Sequence, residues 1–254
     1  MADLLQLFVP LPPLPEQRRI SAILTEQLAA VDRARAAVRA QLAAAEALPA
    51  AYLRTVFESD GAKRWPRRRL GEVCEVVTGT TPPRSNAGYF GGSTPWVKPD
   101  DLDKGVYVRQ SAEYLSAAGT QAARVLPSGA VLVSCIGKLG KTAIAACDLA
   151  SNQQINALVP GAGVEYIYLY WFCRTLRPTL EALASSTIVP IVNKSTLADI
   201  TIPVPPLPEQ RRIAVELTER MAGVDRLSAA LDDEAATLDR VPSAILSHAF
   251  EGGL

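Results

Sequence analysis

Apolar residues recur at helical spacing toward both ends of the chain and give way, in the middle, to short runs rich in Val, Ile and Thr. Leu24, Leu28, Val31, Val38 and Leu42 fall at alternating steps close to a coiled-coil seam, interrupted by Arg35. Leu217, Met221, Val224, Leu231 and Leu238 form a second such stripe. A helix of some thirty residues spans about 45 Å, too long to bury its stripe alone. The two stripes therefore predict two long helices packed antiparallel on each other. Between them, Leu70 to Val77, Ala130 to Ile136, Thr142 to Ala146 and Asn156 to Val159 read as strands. Val164 to Leu183, with Tyr166, Leu169, Phe172 and Leu176 at helical spacing, reads as one helix. Turn-forming residues crowd Thr78 to Pro83 and Gly88 to Pro95.

The lead-in to each long helix is duplicated. Val9 to Ile20 reads VPLPPLPEQRRI and Ile202 to Ile213 reads IPVPPLPEQRRI, ten of twelve positions being identical. The offset of 193 then holds without a gap, pairing Leu24 with Leu217, Val31 with Val224, Pro49 with Pro242 and Phe57 with Phe250. Pro13, Pro15, Pro206 and Pro208 suit a first helical turn, and Glu16 and Glu209 follow where the helix dipole favours an anion. Pro49 and Pro242 are expected to break or bend the helices and leave short apolar tails, Ala51 to Phe57 and Ala244 to Phe250, as candidate docking surfaces. The organisation expected is a helical repeat over 1–60, a mixed α/β domain over 61–201 and a second helical repeat over 202–254, an α+β chain overall. A plain coiled-coil spacer would account for the helix pairing but not for the duplicated lead-in.

At 254 residues and 48% hydrophobic content, the chain can bury a sizeable core. No run approaches the roughly 18 apolar residues of a membrane helix, and no signal-peptide pattern is present, so the expected location is the cytoplasm. The four cysteines, Cys74, Cys135, Cys147 and Cys173, have no C-x-x-C spacing and read as reduced core thiols. Charge changes the picture more. The chain balances 26 Lys/Arg against 26 Asp/Glu, yet Gly61 to Thr201 holds 15 against 10 and the flanks 11 against 16. A locally basic surface, rather than net charge, attracts phosphates.

Candidate chemistry is sparse. Gly137 to Thr142, GKLGKT, resembles a phosphate loop, but Cys135 stands where that loop needs glycine, and a hairpin is expected. Nucleotide hydrolysis there ranks as the weakest reading. His248 is the only histidine, with Thr55 in its place in the other repeat, which removes most triad and metal schemes. The run Lys63, Arg64, Arg67, Arg68 and Arg69 around Trp65 suits a phosphate backbone or a solvated linker. The cluster Ser151, Asn152, Gln153, Gln154 and Asn156 is amide-rich; Asn and Gln can pair bidentately with adenine, and Arg or Lys with guanine. The candidate DNA contacts are Thr80, Thr81, Arg84, Lys98, Lys138, Lys141, Asn152, Gln153, Gln154, Asn193 and Lys194, polar groups on expected loops of the insert.

Together these residues resemble the specificity (S) subunits of type I restriction-modification systems. The resemblance rests on Leu14 to Gln17 and Leu207 to Gln210 in the lead-ins, then Leu70 to Gly79 (LGEVCEVVTG), Thr81-Pro82, Tyr89 to Gly92 and Pro95-Trp96-Val97. It continues through Ile136-Gly137, Gly140-Lys141, Asn152-Gln153 and Ile191 to Lys194 before Leu197. It implies that a recognition domain reads half of a split double-stranded DNA site while the helices act as a ruler and bind methyltransferase (M) subunits. S-adenosylmethionine would belong to those subunits, ATP and Mg to a restriction (R) subunit that cuts, and no cofactor or catalytic centre to this chain. The family alternates two recognition domains with two helical regions, whereas this chain holds one domain. Leu4 to Pro10 aligns with Leu197 to Pro203, as if the chain began where a first domain ends. A homodimer on an inverted repeat, a monomer reading one half-site, a fragment kept as a recombination cassette and a coiled-coil adaptor whose insert binds protein are the alternatives.

Overall fold

A computed structural model describes residues 11–185 and 188–251; the Leu4 to Pro10 alignment and Val9 of the first repeat lie outside them. The elements in chain order are α1 (Leu14–Phe57), α2 (Asp60–Lys63), β1 (Arg67–Arg69), α3 (Leu70–Val73), β2 (Cys74–Thr78), β3 (Phe90–Val97), β4 (Tyr107–Val108) and β5 (Tyr114–Leu115). They continue with α4 (Ala117–Ala122), β6 (Val125–Leu126), β7 (Val131–Ser134), β8 (Thr142–Ala145), β9 (Leu149–Ser151) and β10 (Ile155–Pro160). The last are α5 (Tyr166–Cys173), α6 (Arg177–Leu183), α7 (Lys194–Asp199), β11 (Thr201–Pro203), α8 (Leu207–Leu238) and α9 (Val241–Phe250). The chain divides into two compact units, one holding the residues up to Pro49 and from Met221 on, the other Ala50–Arg220.

In the first unit, Val38, Ala45 and Leu231 form a buried apolar cluster with Leu42, Ala235 and Leu238 packed against it, and Arg35 pairs with Asp239 at 2.9 Å. Val31 and Val224 are also buried, while Leu24, Leu28 and Met221 are half-buried. The two prolines act differently. Pro242 lies in the first turn of α9, where its missing N–H costs nothing, and α8 has already ended. Pro49 sits inside α1 without ending it, contrary to a break at that position.

The second unit is built on two sheets. One has the order β2-β10-β7-β8-β4, antiparallel except for the β4/β8 edge; the other has the order β5-β3-β9-β6 with β3 and β9 parallel. β1 and β11 pair separately, bringing the start of the domain to its end. Strands β7, β8 and β9 are buried at every position, so both faces are covered. Val97, Leu126, Leu132, Ala145, Leu149 and Ile155 belong to the larger core cluster, and Trp96, Leu115 and Ala150 to a smaller one. Leu217, counted in the expected seam, is fully buried in this unit.

Two sequence expectations are corrected. Leu70 to Val77 is not one strand: Leu70–Val73 forms a helical turn because the Glu72 carboxylate reaches back to the Arg69 N–H, and the strand starts at Cys74. Val164 to Leu183 is not one helix. After Cys173 the backbone tightens to i→i+3 bonds at Thr175 and Leu176, and α6 starts at Arg177 with Pro178 in its first turn. Cys74, Cys135 and Cys173 are buried free thiols, and burial pushes Cys74 up to about 12 and Cys135 up to about 11, as inert core groups require.

Candidate nucleic-acid interface

Four backbone segments of the second unit are tied side by side. Gly79 N–H donates to Ile155 O at 3.0 Å and Thr80 N–H to Ser151 O at 2.8 Å, joining the loop after β2 to the turn between β9 and β10. Cys135 N–H donates to Gln154 O at 2.8 Å, joining that turn to the end of β7. Gly137 N–H donates to Pro190 O at 3.0 Å, and Ile136 bridges Ile191, adding the segment before α7. The row thus runs 78–81, 151–155, 135–137, 190–192. A side chain at Gly79 would collide with the Ser151 and Asn152 backbone, so the first junction needs glycine.

Gly137 to Thr142 is the hairpin that the sequence predicted. It turns at positive φ at Gly137 (78°) and Gly140 (77°), and Ser134 holds it by donating to Lys138 O and accepting from Lys141 N–H. Lys141, expected to meet phosphate, is instead 13% exposed and paired with Asp103 at 2.5 Å and Asp100 at 3.1 Å, which raises its pKa. Its ammonium is thus engaged by carboxylates from another loop. His248 is exposed, and among the described residues no group of three or more His, Cys, Asp or Glu is placed to hold a metal.

The other candidates fall into two kinds. Several are held by the protein. Arg84 stacks 4.9 Å from both the Phe90 and Trp96 rings and pairs with Glu113 at 2.7 Å; Lys98 pairs with the same carboxylate. The Arg84 hydrogen bond, then that of Lys98, holds the Glu113 carboxyl below its usual range. Thr80 accepts from Arg124 N–H at 3.0 Å and from Trp96 Nε1 at 3.1 Å through its carbonyl. Asn193 caps α7, accepting from Thr196 N–H at 2.8 Å. The Thr81 hydroxyl meets Gln153 Oε1, and buried Asn152 bonds Gln154 twice. Among the described residues, Lys138 and Lys194 are exposed and enter no ion pair. Asn156 is buried and accepts from the Thr78 hydroxyl, so it serves the sheet rather than the surface.

Arg124 and Glu113 were missed by sequence reasoning. Arg124 donates to Thr78 O at 2.9 Å and so buttresses the loop after β2 from 46 residues away. Glu113 is 29 residues from Arg84 and 15 from Lys98, and no local spacing signals either link.

The cross-tied loops form a polar rim on a twin-sheet domain. Residues 62–229 match the family described as the type I restriction modification DNA specificity domain, and the chain belongs to that family. Two curated relatives are specificity subunits of type I restriction enzymes: MjaIX of Methanocaldococcus jannaschii, 29% identical over 61% of this chain and 38% of the relative, and HindI of Haemophilus influenzae, 29% identical over 56% and 32%. Among solved structures, a chain of a type I R-M system superposes with a TM-score of 0.80 at 32% identity, over 97% of this chain and 62% of that one. The HsdS subunit of Thermoanaerobacter tengcongensis gives 0.70, also at 32% identity, over 97% and 61%. The chain thus spans about a third of the curated relatives' length and about three-fifths of the structural ones. Among the described residues no helix is long and apolar enough to cross a membrane.

Proposed function

We propose that this chain is a sequence-reading subunit of a type I restriction-modification complex, its domain meeting one half of a bipartite DNA site in the cytoplasm. The observation that carries the reading is the row of four cross-tied loops, with the Gln153 and Gln154 amides on the 151–155 segment and with Lys138 and Lys194, which enter no ion pair among the described residues, just after the 135–137 and 190–192 segments. Side-chain amides beside exposed cations suit base edges and phosphates respectively. The paired α1 and α8 stripes would act as an antiparallel coiled-coil spacer, supported by the Val38, Ala45 and Leu231 cluster. Methyltransferase subunits, and through them restriction subunits, would dock on the helical regions, bringing S-adenosylmethionine and ATP with Mg; this chain would supply no cofactor and no catalytic group. Because the helix pair closes within one chain, we read the protein alone as a monomer.

Two measurements test this. Affinity for duplex DNA should fall linearly on a log–log salt plot, and Lys138→Ala with Lys194→Ala should flatten the slope by about two phosphate contacts. Salt-independent binding would sink the DNA assignment in favour of a protein-binding insert. Light scattering should then give a monomer that gains mass with its methyltransferase subunit; a stable dimer would replace the monomeric reading.

A further inference from the structure

We infer that Gln154 presents its amide to DNA as a hydrogen-bond donor, and that Asn152 is the positioning residue that sets this polarity. The inference rests on the DNA-reading function proposed above and goes beyond it to a chemical preference. A side-chain amide has two nearly isosteric ends, and only its partners decide which end is which. Here the partners leave one solution. The Gln154 backbone N–H can only donate, so the Asn152 atom 3.2 Å from it is Oδ1. The other end of Asn152 is then Nδ2, which can only donate, so the Gln154 atom 2.8 Å from it is Oε1. The carbonyl of Gln154 is thereby turned onto Asn152, and its NH2 has no partner among the described residues.

The frame around this relay is rigid. Asn152 is 8% exposed and its N–H donates to Val97 O at 3.0 Å, while Gln154 O accepts from Cys135 N–H at 2.8 Å. Gln154 itself is only half-buried. Gln153 differs: its partner is the Thr81 hydroxyl, which can donate or accept, so nothing fixes that amide. Bidentate pairing with adenine needs an amide that accepts from N6 and donates to N7. Gln154 has its acceptor engaged, so it favours an edge of acceptors, guanine O6 and N7 or thymine O4, and disfavours cytosine, whose major-groove group is a donor.

The relay can be inverted from either end. In Gln154→Glu the carboxylate still accepts from Asn152 but offers an acceptor outward. In Asn152→Asp the residue still accepts from the Gln154 N–H but can no longer donate, so Gln154 turns its NH2 inward and its carbonyl outward. The experiment enriches bound sequences from a randomised duplex pool with the full chain, wild type and both variants, after circular dichroism shows native folding. Expected is one position where wild type prefers guanine or thymine and both variants converge on cytosine or adenine, by about ten-fold. Wild-type preferences retained in either variant, changes at different positions, or preference lost altogether would overturn the inference. Should Asn152→Asp not fold, Gln154→Glu against Gln154→Leu decides: the first must switch the base and the second only lose it. Enrichment of no sequence by wild type, with salt-dependent binding absent, would instead remove the DNA-reading function itself.

Discussion

The two copies of the proline-rich lead-in carry the same residues and have different fates. In each, the glutamate N–H and the glutamine N–H close the first turn onto a proline carbonyl, Pro13 in one and Pro206 in the other, at 2.9 and 3.1 Å respectively. In each, the glutamine Nε2 donates to the carbonyl of the equivalent proline, Gln17 to Pro12 at 2.7 Å and Gln210 to Pro205 at 2.8 Å. There the likeness stops. Gln210 is fully buried, accepts from Glu165 N–H at 2.9 Å and donates to Gly163 O at 3.0 Å, whereas Gln17 is half-buried and, among the described residues, its side chain makes the local bond alone. Ile213 and Leu217 are buried where Ile20 and Leu24 are half-buried, and Phe57 is 7% exposed where Phe250 is 66% exposed. Twelve residues are enough to specify a helix cap; whether its apolar face is covered depends on what the rest of the chain supplies.

Truncating the aromatic tail should separate the copies most. Phe57 packs edge-on to Phe172 and tilted on Tyr168, with centroids 5.6 and 5.4 Å away. Phe57→Ala should cost about 3 to 4 kcal/mol, while exposed Phe250→Ala should stay within about 0.5 kcal/mol. Calorimetry on both variants reads this directly. Equal losses would mean that the second tail is covered in solution and that the difference in burial is not a property of the protein.

A smaller separation is expected at the glutamines. Gln210→Ala strands the Glu165 N–H and two carbonyls in the interior, for about 2 kcal/mol, whereas Gln17→Ala loses a single half-buried bond and should cost about 0.5 kcal/mol. Chemical denaturation gives both values. A Gln17 loss matching that of Gln210 would show that the amide acts only through its local proline carbonyl, and the long-range bonds would count for nothing.

The same division explains what could be read from the sequence of the whole molecule. The long helices, the hairpin at Gly137 to Thr142 and the strands β7, β8 and β10 were legible because local residue type decides them: apolar stripes, paired glycines at positive φ, and runs of Val, Ile and Ala. β3, β4, β5, β6 and β9 were not: β4, β5, β6 and β9 are only two or three residues long, and β3 runs through Gly91, Gly92 and Pro95, which read as turn residues. At the candidate interface, residue type located the amide cluster but not its wiring. Arg84, Lys98 and Lys141 look like free cations in sequence because Glu113, Asp100 and Asp103, which neutralise them, come from other loops.

The smallest contrast is expected where the copies are most alike. Arg19 bonds both Glu16 oxygens at 3.0 and 2.7 Å, and Arg212 bonds both Glu209 oxygens at 2.9 and 2.8 Å. In each case the arginine hydrogen bond is the main reason the glutamate carboxyl lies below its ordinary value. A carboxyl depressed in the folded state adds stability that is complete above the unfolded value, about 4.3, and is lost as pH falls through the lower folded one. Carbon-detected NMR titration should therefore find Glu16 and Glu209 both titrating low. Arg19→Ala and Arg212→Ala should each return its partner toward the ordinary value, even though Arg212 alone also reaches a second carboxylate, Glu216, at 2.9 Å. If Glu209 titrated low and Glu16 did not, the cap would need its tertiary surroundings after all, and the identical twelve-residue lead-ins would no longer count as a self-sufficient local code.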